Sequence, residues 1–173
     1  MRHSIQNLRL PQDAAYCALV EGLWRHPAVQ SMNGYLQHGA TTCLQHCLHV
    51  SYLSYRYCIR HGLDARAAAR GGLLHDLFLY DWHTYRRPKG ERLHGFAHPR
   101  KALDNAKRFF ELTPGEEAII LQHMWPLTRT FPTTPEARVV MIMDKYAGFL
   151  ETVCRRPPGV PAGWLWRLPE MWG

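Results

Sequence analysis

Gly71-Gly72-Leu73-Leu74-His75-Asp76 sets an imidazole and a carboxylate side by side at the end of an apolar helical run. Both groups lose hydration in such a place and need charged or hydrogen-bonding partners. A metal ion supplies one. Four further polar residues stand singly in apolar surroundings: His46, His98, His123 and Asp144. Asp144 lies among Met141, Ile142, Met143 and Tyr146, where an unpaired carboxylate is costly.

Working outward from this stretch, the pattern is helical with almost no strand signal. Apolar residues between Gln12 and Trp24 recur on one helical face, behind Pro11. A turn-rich segment, 31–35, follows. Thr41 or Thr42 can cap a long helix to about Arg60, with Gly62 as its left-handed terminator. Asp64 can cap the next helix, Ala65 to about Phe78, which carries the His75-Asp76 pair near its end. From Leu79 to Ala97 periodicity dissolves into aromatic, basic and glycine residues, a loop long enough to be functional. Pro99 suits the first turn of a helix reaching Phe110. Thr113-Pro114-Gly115-Glu116 combines an N-cap, a first-turn proline and a capping-box glutamate, and predicts a helix to about Met124. Thr134-Pro135 opens the last helix, to about Val153. About six helices in an all-α bundle are expected. His46, His75-Asp76, His98, His123 and Asp144 then fall on five of them, and helix packing can bring them to one interior.

Composition agrees with one helical domain spanning 1–173, its core at about 40–150. The 173 residues are 46% hydrophobic, enough to bury a sizeable core and too apolar for disorder. No run of 18 apolar residues occurs, and the polar N-terminus lacks a secretory h-region, so a soluble, cytoplasmic chain with no membrane partner is expected. Five cysteines (Cys17, Cys43, Cys47, Cys58, Cys154) without a C-x-x-C spacing exclude a disulfide framework or a thiolate zinc site as the first reading. Beyond Arg156 a segment rich in proline and tryptophan (157–173) is expected to pack on its own domain.

The net charge of +7 favours anionic partners. Arg86, Arg87, Lys89, Arg92, Arg100 and Lys101 gather in one segment, without an aromatic-basic repeat or nucleic-acid motif. Nucleic acid is therefore an unlikely partner, though a possible one, and a small phosphorylated substrate accounts for such a local cluster equally well; a solvated basic loop is the bland alternative.

Imidazole and carboxylate donors without thiolate suit iron, manganese, cobalt, nickel or zinc. Four such residues saturate one ion with room for water, and six invite a second. The series His46, His75-Asp76, Asp144 resembles the signature of the HD-domain metal-dependent phosphohydrolase superfamily. His46-Cys47-Leu48-His49-Val50 resembles its first histidine helix and Gly72-Leu73-Leu74-His75-Asp76 its second; His98 and His123 resemble the subset that holds two metals. The resemblance covers roughly residues 40–150. It implies that His46, His75, Asp76 and Asp144 bind a first divalent ion, that His98 and His123 complete a second, and that Asp76 bridges both. His49 competes with His46 by helical spacing, but the position of Val50 favours His46. After the pair the chain reads Leu77-Phe78-Leu79-Tyr80-Asp81-Trp82 and lacks the small residue, glycine and lysine of many relatives.

The reaction so implied is hydrolysis of a phosphoester or phosphoanhydride of a nucleotide-like small molecule. Two cations about 3.5–4 Å apart can acidify a bridging water and polarise the phosphoryl oxygen. Asp76 and Asp81 are the catalytic candidates, Asp81 to orient that water or handle a proton, with loop capping as its bland role. Arg86, Arg87, Lys89, Arg100 and Lys145 are candidates to neutralise the substrate. His83 and His94 can reach the substrate from the loop. Trp82, Tyr85 and Trp125 can stack on a base. Two alternatives share these residues: a diiron oxygenase on the HD fold, and a metal-stabilised regulatory or RNA-binding module.

Overall fold

The computed structural model describes residue 8 and residues 10–153; the expectations for Cys154 and the tryptophan-rich 157–173 lie outside the described residues. Helix starts follow the local chemistry. Asp13 accepts from the Tyr16 amide (3.0 Å) to begin α1, Ala14–Trp24. A short α2, Pro27–Ser31, and a 3-10 turn, Met32–Gly34, lead into a two-stranded hairpin, β1 (Leu36–His38) with β2 (Thr41–Thr42), paired Leu36 to Thr42 and His38 to Thr41. Neither α2 nor the hairpin is foreseen by periodicity, because both are too short for a period to repeat often enough to register.

Thr42 then caps α3, Cys43–Arg60, through a capping box with Gln45, and Gly62 (φ +65°) ends it in the left-handed region. Asp64 accepts from the Ala67 amide (2.9 Å) to start α4, Ala65–Leu74. Thr113 and Glu116 form the second capping box, opening α6, Pro114–Gln122. The Thr134 hydroxyl accepts from the Ala137 amide (3.1 Å) at the head of α7, Pro135–Val153.

Two boundaries differ from expectation. The third long helix ends at Leu74 rather than near Phe78. The Leu77 amide donates to Leu74 O and the Phe78 amide to Asp76 O (2.8 Å), tightening and then breaking the spiral before Leu79 turns at φ +59°. Leu77 and Phe78 stay buried outside the helix, and the Leu77 carbonyl accepts from Asn105 Nδ2 (2.8 Å). At the other end of the loop, α5 spans His94–Phe109, so Pro99 sits inside it and not in its first turn. A proline there removes one bond, to the carbonyl of Gly95. Gly95 itself packs closely on the chain beyond α6: a Cβ on it would meet Leu127 Cδ2 at 2.7 Å.

The paired glycines have a packing reason. A Cβ on Gly72 would stand 2.9 Å from Ser51 Cα of α3, and one on Gly71 would stand 2.8 Å from Ile119 Cγ2 of α6. The last turns of α4 are thus clamped against two helices at once. Ser51 is pinned in turn: its hydroxyl donates to Ala69 O (2.6 Å) and meets the Tyr16 hydroxyl (2.8 Å). Around this junction Leu44, Leu48, Leu73, Leu74, Leu77, Ile119 and Ile120 are fully buried, each contributing roughly 1.5–3 kcal/mol. α4 touches α3, α6, α7 and α1, which makes it the central element and places its C-terminal pair, His75-Asp76, in the middle of the molecule. No helix among the described residues is long and apolar enough to cross a membrane. Cys17, Cys43, Cys47 and Cys58 are all free thiols.

Candidate metal centre

The packing brings all six residues of the expected series together. His46 comes from the first turn of α3, His75 and Asp76 from the end of α4, His98 from α5, His123 from the end of α6 and Asp144 from α7. His46 Nε2 lies 3.0 Å from Asp144 Oδ1, and His75 Nε2 lies 3.6 Å from the same oxygen and 3.5 Å from Asp76 Oδ2. On the other side Asp76 Oδ1 is 3.2 Å from His98 Nε2 and 3.5 Å from His123 Nε2, with the two imidazole nitrogens 2.9 Å apart. Asp76 is the hinge between the halves: one oxygen faces each. The six residues are buried apart from Asp144, whose side chain is 14% exposed and opens the cluster toward solvent.

Three of the imidazoles are oriented identically. His75 Nδ1 pairs with Gly72 O (2.8 Å), His98 Nδ1 with His94 O (3.0 Å) and His123 Nδ1 with Ile120 O (2.7 Å). A carbonyl only accepts, so each Nδ1 carries the proton and each Nε2 is presented to the centre. Gly72 O and Ile120 O belong to the last turns of α4 and α6, where a helix end leaves carbonyls available, and His94 O lies one turn before His98 in α5.

The electrostatics fit a cation. Burial alone would lower the pKa of His46, yet Glu151 and Asp144 outweigh it and hold the ring's pKa well above its ordinary value. His75 is raised likewise, burial being overcome chiefly by Asp76. The reverse holds for the carboxyls. Burial would raise Asp76 and Asp144, but the surrounding imidazoles hold both well below the usual carboxylate range. Even so, His75 Nε2 and Asp76 Oδ1 are buried with no hydrogen-bond partner. Orphaned groups of this kind are costly. One ligand atom from each of His46, His75 and Asp76 lies within 4.8 Å of the others, as in the sets His75, His123, Asp144 and Asp76, His98, His123. Nitrogen and carboxylate donors at that spacing fit a divalent metal, and the sets overlap at His75, Asp76 and His123.

Some candidates fall elsewhere. Asp81 Oδ1 accepts from the His83 amide (3.0 Å), which lowers its pKa; the side chain is 40% exposed and caps its own turn outside the cluster. Arg100 pairs with Asp104 (3.4 Å) on the open face of α5, and Arg87 donates to Glu91 O. Arg86 and Lys89 are exposed in the loop. Lys145, beside Asp144, donates to His123 O (3.0 Å), the one basic candidate bonded to a residue of the cluster. His94 is the first residue of α5 rather than part of the loop, and its ring stacks on His98 (4.7 Å) and Trp82 (5.2 Å). Tyr85 lies tilted against Tyr80 (4.2 Å) and Trp125 stands edge-on to Phe131 (5.2 Å). Lys101 donates to Glu91 (2.6 Å) above both tyrosine rings, so its charge is already matched.

The sequence reading missed a second layer. Gln37 of β1 donates to Asp76 Oδ2 (2.6 Å). Glu151 of α7 meets His46 Nδ1 at 2.9 Å and His49 Nδ1 at 2.8 Å. The His38 ring lies edge-on to His46, 5.1 Å away. Only Glu151 leaves a trace in the sequence: it follows Asp144 by seven residues, two turns along one helix face. A separate cavity of about 590 Å³ between α3 and α7, lined by Leu53, Tyr57, Val139, Ile142 and Met143 with arginines 56, 60 and 138, includes none of the six residues. Its lining is largely apolar and offers no carboxylate, so it lacks the donor set that the cluster has.

Neither a curated protein nor a solved structure matches the chain significantly. The HD domain family model does match, over residues 43–148, a span that begins at the first residue of α3, contains all six clustered residues and covers more than half of the sequence. With its helical architecture and its histidine-aspartate centre, the chain belongs to the HD domain family.

Proposed function

We propose that the protein is a metal-dependent phosphohydrolase that cleaves a phosphoester or phosphoanhydride bond of a small, nucleotide-like molecule. The observation that carries this reading is the pair of buried, partnerless donor atoms, His75 Nε2 and Asp76 Oδ1, at the meeting point of five helices. In this reading His46, His75, Asp76 and Asp144 hold one divalent ion, and Asp76, His98 and His123 a second. Bound there, divalent cations lower the pKa of water and draw charge off a phosphoryl oxygen. The protein's own part is positional. Backbone carbonyls fix three imidazoles with Nε2 inward, and Gln37 holds one oxygen of Asp76. Lys145, with the exposed Arg86 and Lys89, supplies positive charge for a phosphate, and Trp82, stacked over His94, supplies an aromatic wall. The HD family membership supports the reaction class; the basic loop supports an anionic substrate.

The test is elemental analysis of protein purified without added metal, followed by phosphoesterase assays across nucleotides and other phosphoesters with manganese or cobalt, in the absence of oxygen. Asp76→Ala is expected to remove metal and turnover together. Full metal occupancy in that variant would refute the assignment of Asp76, and turnover that requires oxygen and iron would place the chain among oxygenases instead.

A further inference from the structure

Four imidazoles converge on the centre, and their outer nitrogens are not treated alike. His75, His98 and His123 each give Nδ1–H to a neutral backbone carbonyl of their own helical turn. His46 instead meets a carboxylate, Glu151 Oε2 at 2.9 Å, from an element 105 residues away. The other oxygen of that carboxylate, Oε1, meets His49 Nδ1 at 2.8 Å, one helical turn beyond His46 on α3. Glu151 is only 6% exposed, and both its oxygens are engaged by imidazole nitrogens. It lies three residues beyond the span that matches the family, 43–148.

We propose that Glu151 is a positioning residue of the metal centre: it holds His46 with Nδ1 protonated and Nε2 facing Asp144 and His75, and makes His46 the most electron-rich imidazole of the four. The inference rests on the metal-centre reading above. A carboxylate behind a ligating imidazole fixes its tautomer and raises its basicity, and losing such a partner costs 10–100-fold in metal affinity in comparable sites. A backbone carbonyl fixes the tautomer without adding charge. His49 takes up the far oxygen, Oε1, one helical turn from His46, and is not itself among the six clustered residues.

The experiment compares wild type, Glu151→Gln and His49→Gln by zinc competition against a chromophoric chelator, with thermal unfolding of the metal-free proteins alongside. Glu151→Gln keeps the shape and loses the charge, so its zinc affinity is expected to fall about 10–100-fold. His49→Gln leaves the Glu151–His46 bond in place and is expected to bind zinc within a few-fold of wild type, although both variants unfold at lower temperature. A folded Glu151→Gln that binds zinc as tightly as wild type overturns the proposal, as does an equal loss in His49→Gln. Should Glu151→Gln fail to fold, long-range nitrogen–proton NMR on the zinc-loaded wild type decides: a proton on His46 Nδ1 is expected, and one on Nε2 overturns the assignment. If wild type takes up no divalent metal, the metal-centre reading itself is what fails.

Discussion

Replacing Gly72 by alanine tests whether close contact between α3 and α4 builds the centre. In an exposed helix, glycine to alanine stabilises by roughly 0.5–1 kcal/mol through backbone entropy. Gly22 of α1 is such a site, because an added Cβ there meets nothing within 4 Å. At Gly72 the same methyl would stand 2.9 Å from Ser51 Cα and 3.2 Å from Ser51 N, both backbone atoms. Carbon atoms rest about 3.5–4.0 Å apart, so the helices must separate by roughly 0.6–1 Å. Ser51 resists, being bonded to Ala69 O and to the Tyr16 hydroxyl. Overpacking of this kind costs about 1–3 kcal/mol, against a propensity gain of about 1. Against Gly22→Ala, where the propensity gain acts alone, Gly72→Ala is expected to be less stable by about 1–3 kcal/mol, a difference of several degrees in Tm. The same displacement carries His75 away from His46, whose ring centre is 5.3 Å distant, so zinc binding weakens as well. Urea denaturation and zinc competition on both variants give the answer. If Gly72→Ala is as stable as Gly22→Ala, or is destabilised with unchanged zinc affinity, the contact does not set the geometry of the centre.

Two further tests address charge. Glu116 is 1% exposed and pairs with Arg70 (2.5 Å); Arg70→Ala removes the charge partner of a buried carboxylate, leaving it only its capping bond from the Thr113 amide, and is expected to cost about 3 kcal/mol in urea denaturation, so a change under about 1 kcal/mol would contradict the burial argument. The second concerns pH. His46 and His75 have raised pKa values in the metal-free protein, so their contribution to stability is fully present below the ordinary imidazole value, about 6.5, and is lost as pH rises through the raised values. Glu151, lowered to about 2 against its burial chiefly by His46, contributes above the ordinary carboxylate value and loses that contribution as pH falls toward 2. Metal must displace the imidazole protons, so zinc affinity is expected to rise with pH by up to about tenfold per unit for each proton displaced. Calorimetry in buffers of different ionisation enthalpy counts those protons at pH 7; none released would contradict the charged state assigned to the imidazoles.

Much of the fold was legible because it is fixed by neighbours in sequence. The capping boxes at Thr42 with Gln45 and Thr113 with Glu116, the Asp64 cap and the Gly62 terminator join atoms within four residues of one another, so their signal is local. The six centre residues were legible for a different reason: a charged or imidazole group amid apolar helix is conspicuous when it has no nearby partner. The end of α4 was not legible, since Leu77-Phe78-Leu79 is as apolar as the helix before it, and only burial against Asn105 and the turn at Leu79 unwinds it.

The sequence by itself determined which segments become helices and which side chains could ligate, because caps, periodicity and residue chemistry act at short range. Tertiary structure alone decided the outer layer. Glu151 reads as one more acidic residue near a helix end, and Gln37 as part of a featureless segment, until packing sets them against partners 105 and 39 positions away. It also put Asp81 on its own turn, where Oδ1 accepts from the His83 amide, a contact that the sequence offered only as the residue's bland role. Hydrogen bonds over such separations depend on how helix faces meet, and that is fixed by close approaches such as Gly72 on Ser51 rather than by any pattern along the chain.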